Sequence, residues 1–358
     1  MRIVVLDGYT LARKQDLWGA IAEQGDLTVH DRTPPERVVE RARDAQVVLT
    51  NKTKLAEDHF ARLPALRYVA VMATGYNCVD VGAARRRGVA VSNVPEYGTD
   101  SVAQLTFALL LELSHHAGDH DRAVKDGAWS ASPDWCFWNH PLVELSGLKM
   151  GIVGFGRIGR RVGEIAHAFG MDVLAAARSR RDPPPYRQFA WRSVPEIFEE
   201  ADVVSLHCPE TVETRGFVTA DLLGRMKRTA WLLNTARGSL IDEGSLAAAL
   251  NGGRLAGAAL DVVSEEPIRP DNPLLAARNC LLTPHLAWAT DAARRRLIAE
   301  TARNVAAYRK GRPRNVVNGA PTGAGVKARA DRTEKGPVRR GCGGAEREGT
   351  GGRGSRSG

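Results

Sequence analysis

Three polar residues stand just beyond short aliphatic runs in the second half of this 358-residue chain. Arg237 follows Leu233-Asn234-Thr235-Ala236, Glu266 follows Asp261-Val262-Val263-Ser264-Glu265, and His285 follows Leu281-Leu282-Thr283-Pro284. Their chemistry is complementary. A histidine takes a proton from an alcohol being oxidised, or gives one to a ketone being reduced. A glutamate beside it orients the ring. An arginine holds a carboxylate in a two-pronged hydrogen bond and polarises the adjacent carbonyl. Each residue also has a plainer reading: Arg237 as a helix-start residue, Glu266 as a loop acid, His285 as a satisfied surface histidine. Spacing alone leaves both readings open.

A second motif points to a cofactor. Gly154-Phe155-Gly156-Arg157-Ile158-Gly159 follows an expected strand, Met150–Val153, and precedes an expected helix, Arg160–Phe169. In that context Gly154 permits a tight turn, Gly156 lets the backbone approach a pyrophosphate, and Gly159 lets helix and strand pack closely. The N–H groups of Arg157 and Ile158, at the helix start, are placed to face phosphates. The motif therefore predicts a bound dinucleotide, NADP or NAD. The next strand, Asp172–Ala176, has its only acid at the wrong end for gripping ribose hydroxyls, and Arg178, Ser179, Arg180 and Arg181 follow it. Such residues welcome a 2'-phosphate, so the expectation leans to NADPH or dual use. The alternative is a solvated arginine turn before Pro183-Pro184-Pro185. His207, Cys208, Pro209 and Thr235, at or just past later strand ends, are expected to line the same cleft.

These groups converge only if the chain is built of parallel strands. Short aliphatic runs alternate with helical stretches throughout: Gln46–Thr50, Tyr68–Met72 and Val89–Ser92 early on, then Val203–His207, Ala230–Asn234, Ala256–Asp261 and Cys280–Thr283. That alternation predicts α/β layers with crossover helices. The expected fold is two Rossmann-like domains: a flavodoxin-like substrate domain, residues 1–99 plus 290–320, and a doubly wound, six-stranded dinucleotide-binding domain, residues 100–289. In such sheets ligands bind outside the carboxyl ends of the strands. A long helix should start with Thr99 or Asp100 as its cap, an irregular Trp-rich stretch runs from Trp129 to Pro141, and a last helix spans Asp291–Tyr308. Residues 321–358 hold 11 of the chain's 36 glycines and no Leu, Ile, Met or aromatic residue. Such a segment is expected to be disordered.

Composition narrows the function classes. The net charge is +9, but nine basic and four acidic residues of 321–358 supply +5 of it. The folded part thus gives weak support for nucleic-acid binding. The most apolar helix, Val102–Leu113, is too short to span a bilayer, and the chain opens on a strand rather than a leader peptide. Five scattered cysteines show no disulfide or metal spacing, which fits free thiols in the cytoplasm. His116 and His120 are four residues apart, but no third ligand is evident in the sequence, so no metal is expected.

The whole of residues 1–320 resembles the D-isomer-specific 2-hydroxyacid dehydrogenases. The resemblance rests on the Gly154–Gly159 turn, Asn234-Thr235-Ala236-Arg237-Gly238, Asp261-Val262 through Glu266-Pro267, and Thr283-Pro284-His285. It implies that Arg237, Glu266 and His285 are catalytic and that Asp261 binds the nicotinamide amide. It also implies that backbone N–H groups of Ala73-Thr74-Gly75 hold the substrate carboxylate, and that the enzyme is a homodimer through the cofactor domains. Ala73–Asn77, Asn93–Ala103, Cys136–Trp138 and His285–Thr290 are most similar to the glycerate dehydrogenase (hydroxypyruvate reductase) branch, which implies reduction of hydroxypyruvate and also glyoxylate. The family also contains dinucleotide-sensing corepressors and enzymes of other small 2-hydroxy acids, and these stay open as alternatives.

Overall fold

The computed structural model describes residues 1–12, 17–180 and 182–319, with the backbone of Arg339–Arg340. The chain separates into two compact units, 1–97 with the segment from 294 onward, and 98–293.

In the first unit the strands are β1 (Arg2–Val5), β2 (Asp26–Val29), β3 (Val47–Thr50), β4 (Tyr68–Val71) and β5 (Ala90–Ser92). The helices between them are α1 (Tyr9–Ala12), α2 (Gly19–Ala22), α3 (Val38–Ala42), α4 (Glu57–Arg62) and α5 (Val81–Arg86). All strand pairs are parallel, in the order β2-β1-β3-β4-β5. This is the flavodoxin-like order that the sequence predicts. Strands β3, β4 and β5 are buried along their whole length, which requires cover on both faces and explains their unbroken aliphatic runs. Tyr68 lies flat on Tyr308, ring centroids 4.3 Å apart, and its hydroxyl meets Ser92 Oγ at 2.5 Å.

The second unit opens with α6 (Thr99–His115) and α7 (Ala117–Lys125) and continues into the strands β6 (Lys149–Val153), β7 (Asp172–Ala176), β8 (Phe189–Trp191), β9 (Val203–Leu206), β10 (Trp231–Asn234), β11 (Gly257–Leu260) and β12 (Cys280–Leu282). Helices α8 (Arg157–Ala168), α9 (Val194–Glu200), α10 (Ala220–Arg225) and α11 (Glu243–Asn251) cross between strands; α12 (Asp291–Arg309) follows β12 in the chain and from residue 294 onward belongs to the first unit. The parallel order is β12-β11-β10-β9-β6-β7-β8, a doubly wound sheet whose order reverses between β6 and β9. One face packs Ile197, Phe198, Leu223 and Leu246; the other packs Phe107, Leu110, Val162 and Ala166.

Two expectations need correction. The sheet has seven strands, not six: β8 is a three-residue, half-exposed edge strand. The cap position of α6 is Gly98, without a side-chain bond, so Thr99 and Asp100 lie inside the first turn. A 3-10 turn, Pro35–Arg37, leads into α3. The tail expected to be disordered, 321–358, lies outside the described residues, as does Arg181; only the backbone of Arg339–Arg340 is described, as a two-residue strand, β13, beside β2.

Phe198 is fully buried between α9 and the sheet. Phe198→Ala should lower the unfolding free energy by about 3–5 kcal/mol, read from urea denaturation. A loss below about 1 kcal/mol, the range of a surface change, would show that α9 is not seated as described.

Candidate active site

Strands β10, β11 and β12 are neighbours, with Asn234, Leu260 and Leu282 in register. Arg237, Glu266 and His285 follow these strands, so three positions far apart in sequence leave one sheet edge from strands about 4.8 Å apart. The structure brings Glu266 and His285 into direct contact: Glu266 Oε2 lies 2.7 Å from His285 Nδ1. Both side chains are about one-third exposed or less, at 34% and 24%. Arg237 is half-buried, and its Nη1 donates to the carbonyl of Ala236 at 2.6 Å.

Side chains that the sequence did not single out hold this edge in shape. Asn234, fully buried, donates to the Arg237 carbonyl at 2.8 Å and accepts from the Ala236 amide at 3.0 Å, which folds the Thr235–Arg237 turn. A Cβ on Gly238 would sit 1.9 Å from the Val263 carbonyl carbon, so only glycine lets this turn press on the chain leaving β11. Glu243 accepts from the Ser264 amide and hydroxyl and from Asn272 Nδ2, at 2.6, 2.7 and 2.9 Å, and so clamps both ends of the loop that carries Glu266. These partners are 21 and 29 residues from Glu243, a distance over which spacing gives no signal.

Asp261 does the same for His285. Its carboxylate is 1% exposed and accepts from Thr283 Oγ1 at 2.6 Å and from the Leu286 and Ala287 amides at 2.9 Å. Its carbonyl accepts from the His285 amide at 2.8 Å. His285 itself adopts a left-handed backbone, φ 50°, uncommon outside glycine and held here by those bonds. Burial pushes the Asp261 carboxyl above its ordinary range, and the bonds from Thr283, Ala287 and Leu286 oppose that shift. The family resemblance gives Asp261 to the nicotinamide amide; the bonds of its carboxylate seen within the chain all go to the His285 loop.

The glycine turn fits a dinucleotide. Gly154 has φ +100°, and a Cβ there would lie 2.4 Å from the Cys208 amide nitrogen. A Cβ on Gly159 would lie 2.2 Å from the Gly154 carbonyl oxygen, whereas one on Gly156 would meet nothing within 4 Å. The turn is thus packed on its inner side and open where a pyrophosphate would approach. Helix α8 starts at Arg157, with Gly156 extended before it, so Arg157 and Ile158 occupy its first turn, where anions are favoured. Beyond Ala176, the last residue of β7, Arg178, Ser179 and Arg180 are exposed.

His207 and Cys208 follow β9, next to the glycine turn, and the His207 amide donates to Val153 O at 2.7 Å. Burial drops the His207 pKa to about 4, so its ring is neutral at physiological pH; Nε2 lies 2.8 Å from Ser205 Oγ. Burial pushes the Cys208 thiol up to about 11, which argues against a nucleophile. Pro209 accepts on its carbonyl from Thr214 Oγ1 at 2.7 Å. Thr235 is buried, with Oγ1 3.1 Å from Thr106 Oγ1.

Ala73, Thr74 and Gly75 belong to the first unit, at the carboxyl end of β4. The Ala73 carbonyl accepts from the Val94 amide at 3.0 Å, and the Thr74 carbonyl from Asn93 Nδ2 at 2.7 Å. These bonds fix the loop through its carbonyls.

Sheet order, glycine turn and His–Glu pair define a nicotinamide-dependent oxidoreductase of the 2-hydroxyacid type. The chain belongs to the D-isomer-specific 2-hydroxyacid dehydrogenases: the family's NAD-binding-domain model matches residues 107–287. It is 46% identical to a hydroxypyruvate reductase of Blautia hydrogenotrophica over 89% of this chain and 100% of that protein. It is 36% identical to a glycerate dehydrogenase of Methylorubrum extorquens, over 79% and 88% of the two chains. Among solved structures, an NADPH-dependent glyoxylate/hydroxypyruvate reductase of Sinorhizobium meliloti in complex with NADP and malonate superposes with a TM-score of 0.75 at 29% identity, covering 88% of this chain and 96% of that one.

Asp261→Ala leaves three donors of the His285 loop without their acceptor. At about 1–3 kcal/mol for each buried orphan, the unfolding free energy should fall by at least about 2 kcal/mol, with turnover falling alongside it. Unchanged stability in denaturant would remove Asp261 from this role.

Proposed function

We propose that the chain reduces hydroxypyruvate to D-glycerate, accepts glyoxylate as a second substrate, and uses NADPH in preference to NADH. The observation that carries this reading is the 2.7 Å contact between Glu266 and His285 Nδ1 at the sheet edge, in a chain whose relatives bear those substrate names. The nicotinamide, when bound, supplies the hydride. The side chains do the rest. Because Nδ1 of His285 is taken by Glu266, Nε2 is the atom left to protonate the oxygen of the reduced carbonyl. Arg237 binds the substrate carboxylate and draws charge from the neighbouring carbonyl. The Ala73-Thr74-Gly75 amides take the same carboxylate, with residues 1–99 and 290–320 as the substrate domain and 100–289 as the cofactor domain.

The lean to NADPH rests on exposed Arg178, Ser179 and Arg180 at the end of β7 and on a strand with no acid at that end. We further place the enzyme in the cytoplasm as a homodimer through its cofactor domains. Cys78, Cys136, Cys208 and Cys280 are free thiols among the described residues, which suits a reducing compartment. No helix among the described residues is long and apolar enough to cross a membrane.

Purified protein should oxidise NADPH, and more slowly NADH, when given hydroxypyruvate or glyoxylate, followed at 340 nm. Silence with both acids and both cofactors would end the proposal. His285→Ala should cut turnover by about 100-fold or more, the usual loss for a positioned acid–base group; an unchanged rate would take His285 out of the reaction. Arg178→Asp should raise the KM for NADPH about tenfold or more while sparing NADH, since a charge-assisted hydrogen bond is worth about 1.5–3 kcal/mol. Equal effects on both cofactors would refute the assigned 2'-phosphate contact.

A further inference from the structure

We propose that His116, Asp119 and His140 form a binding site for one divalent transition cation of the Zn2+ class, separate from the reaction edge. The histidines of this region look unpromising in the sequence because His116 and His120 lack a third ligand. The fold supplies a different set. His116 occupies the corner between α6 and α7 in a left-handed conformation, φ 49° and ψ 41°. Asp119 lies in the first turn of α7, and His140 arrives from the irregular stretch after the tryptophans. One ligand atom from each residue lies within 4.8 Å of the other two, and all three residues are half-buried, neither sealed from an entering ion nor fully solvated.

The geometry is close to what such an ion demands. Tetrahedral Zn2+ with bonds of about 2.0–2.1 Å sets its ligand atoms about 3.3 Å apart. His140 Nε2 and Asp119 Oδ2 are already 3.2 Å apart. The His116 ring rests against the His140 ring, centroids 4.2 Å apart and tilted by 32°, so modest ring rotations close the remaining edges. Asp119 pairs with exposed Arg122 through Oδ1 and faces His140 through Oδ2, so a metal would not have to displace the arginine.

His120 explains why the site is prearranged. Its Nε2 accepts from the Asn139 amide at 3.1 Å, so Nδ1 carries the proton and donates to the His116 carbonyl at 2.9 Å. Both ring nitrogens are therefore engaged. His120 is not a ligand; it ties the residue before one ligand to the backbone of another, as positioning partners do around metal sites. Two imidazoles and one carboxylate select Zn2+, or a neighbouring first-row ion, over Mg2+ or Ca2+, which prefer all-oxygen sets. The bound ion would fasten the 126–148 stretch, which has no helix or strand, to the start of α7. That stretch carries Trp135 and Trp138, 87% and 65% exposed, and these supply an optical reporter.

The full-length chain, purified without a polyhistidine tag and stripped with a chelator, is titrated with ZnCl2 against a chromophoric competitor while tryptophan emission is recorded. One Zn2+ per chain should bind, with a change in emission. His140→Gln and Asp119→Asn, both partly exposed positions, should each abolish the bound equivalent, and His120→Gln should weaken it about 10–100-fold. Cys136→Ser should leave it intact, and MgCl2 should not compete. No bound Zn2+ would overturn the proposal. So would binding that survives both His140→Gln and Asp119→Asn, binding that is lost in Cys136→Ser, or equal competition by Mg2+.

Discussion

The carboxylate of Asp261 sits at the end of β11, out of contact with water, and three donors from the turn beyond β12 converge on it. The position of His285 follows from those bonds. Burying a carboxylate is costly without partners, and the upward push on the Asp261 carboxyl records that cost. The Thr283 hydroxyl and the Leu286 and Ala287 amides offset it only if the turn keeps one conformation. The same requirement accounts for the left-handed backbone at His285, which an unconstrained histidine would rarely adopt. His285 is thus aimed by a buried carboxylate that is its structural anchor.

Glu243 acts in the same way one strand connection away. It grips Ser264 and Asn272, so Glu266 is carried by a loop fixed at both ends. Asn234 shapes the turn before Arg237. Each member of the trio therefore has its own buried or partly buried polar anchor: Asn234 and Asp261 come from the ends of adjacent parallel strands, and Glu243 from the start of α11. The glycine turn completes the edge. Gly154 and Gly159 leave no room for a Cβ on their packed side, and Gly156 faces open space.

Much of this was legible in the sequence, for physical reasons. Strands buried on both faces read as unbroken aliphatic runs, so β4, β7 and β10 were placed to within a residue. Parallel order then puts Arg237, Glu266 and His285 on one edge without any knowledge of distances. What escaped was of two kinds. Phe189-Ala190-Trp191 is only three residues long and half-exposed, so the edge strand β8 lacks the signal of a buried run. Gly98 takes the cap position of α6 without a side-chain bond, which left Thr99 and Asp100 as the more obvious candidates. Pairings such as Glu243 with Asn272, or Asp119 with His140, join residues about twenty to thirty apart. No local pattern encodes those; they follow only once the chain has folded.

The division of the chain into two compact units has an evolutionary consequence. The Glu266–His285 pair, its anchors and the glycine turn all belong to the unit 98–293, whereas the Ala73–Gly75 loop is fixed by Asn93 and Val94 within the unit that contains residues 1–97. Each unit has its own core and its own hydrogen-bonded supports. Mutations that reshape the loop can therefore accumulate without disturbing the contact between Glu266 and His285. A lineage built on this plan can vary one unit while inheriting the other intact.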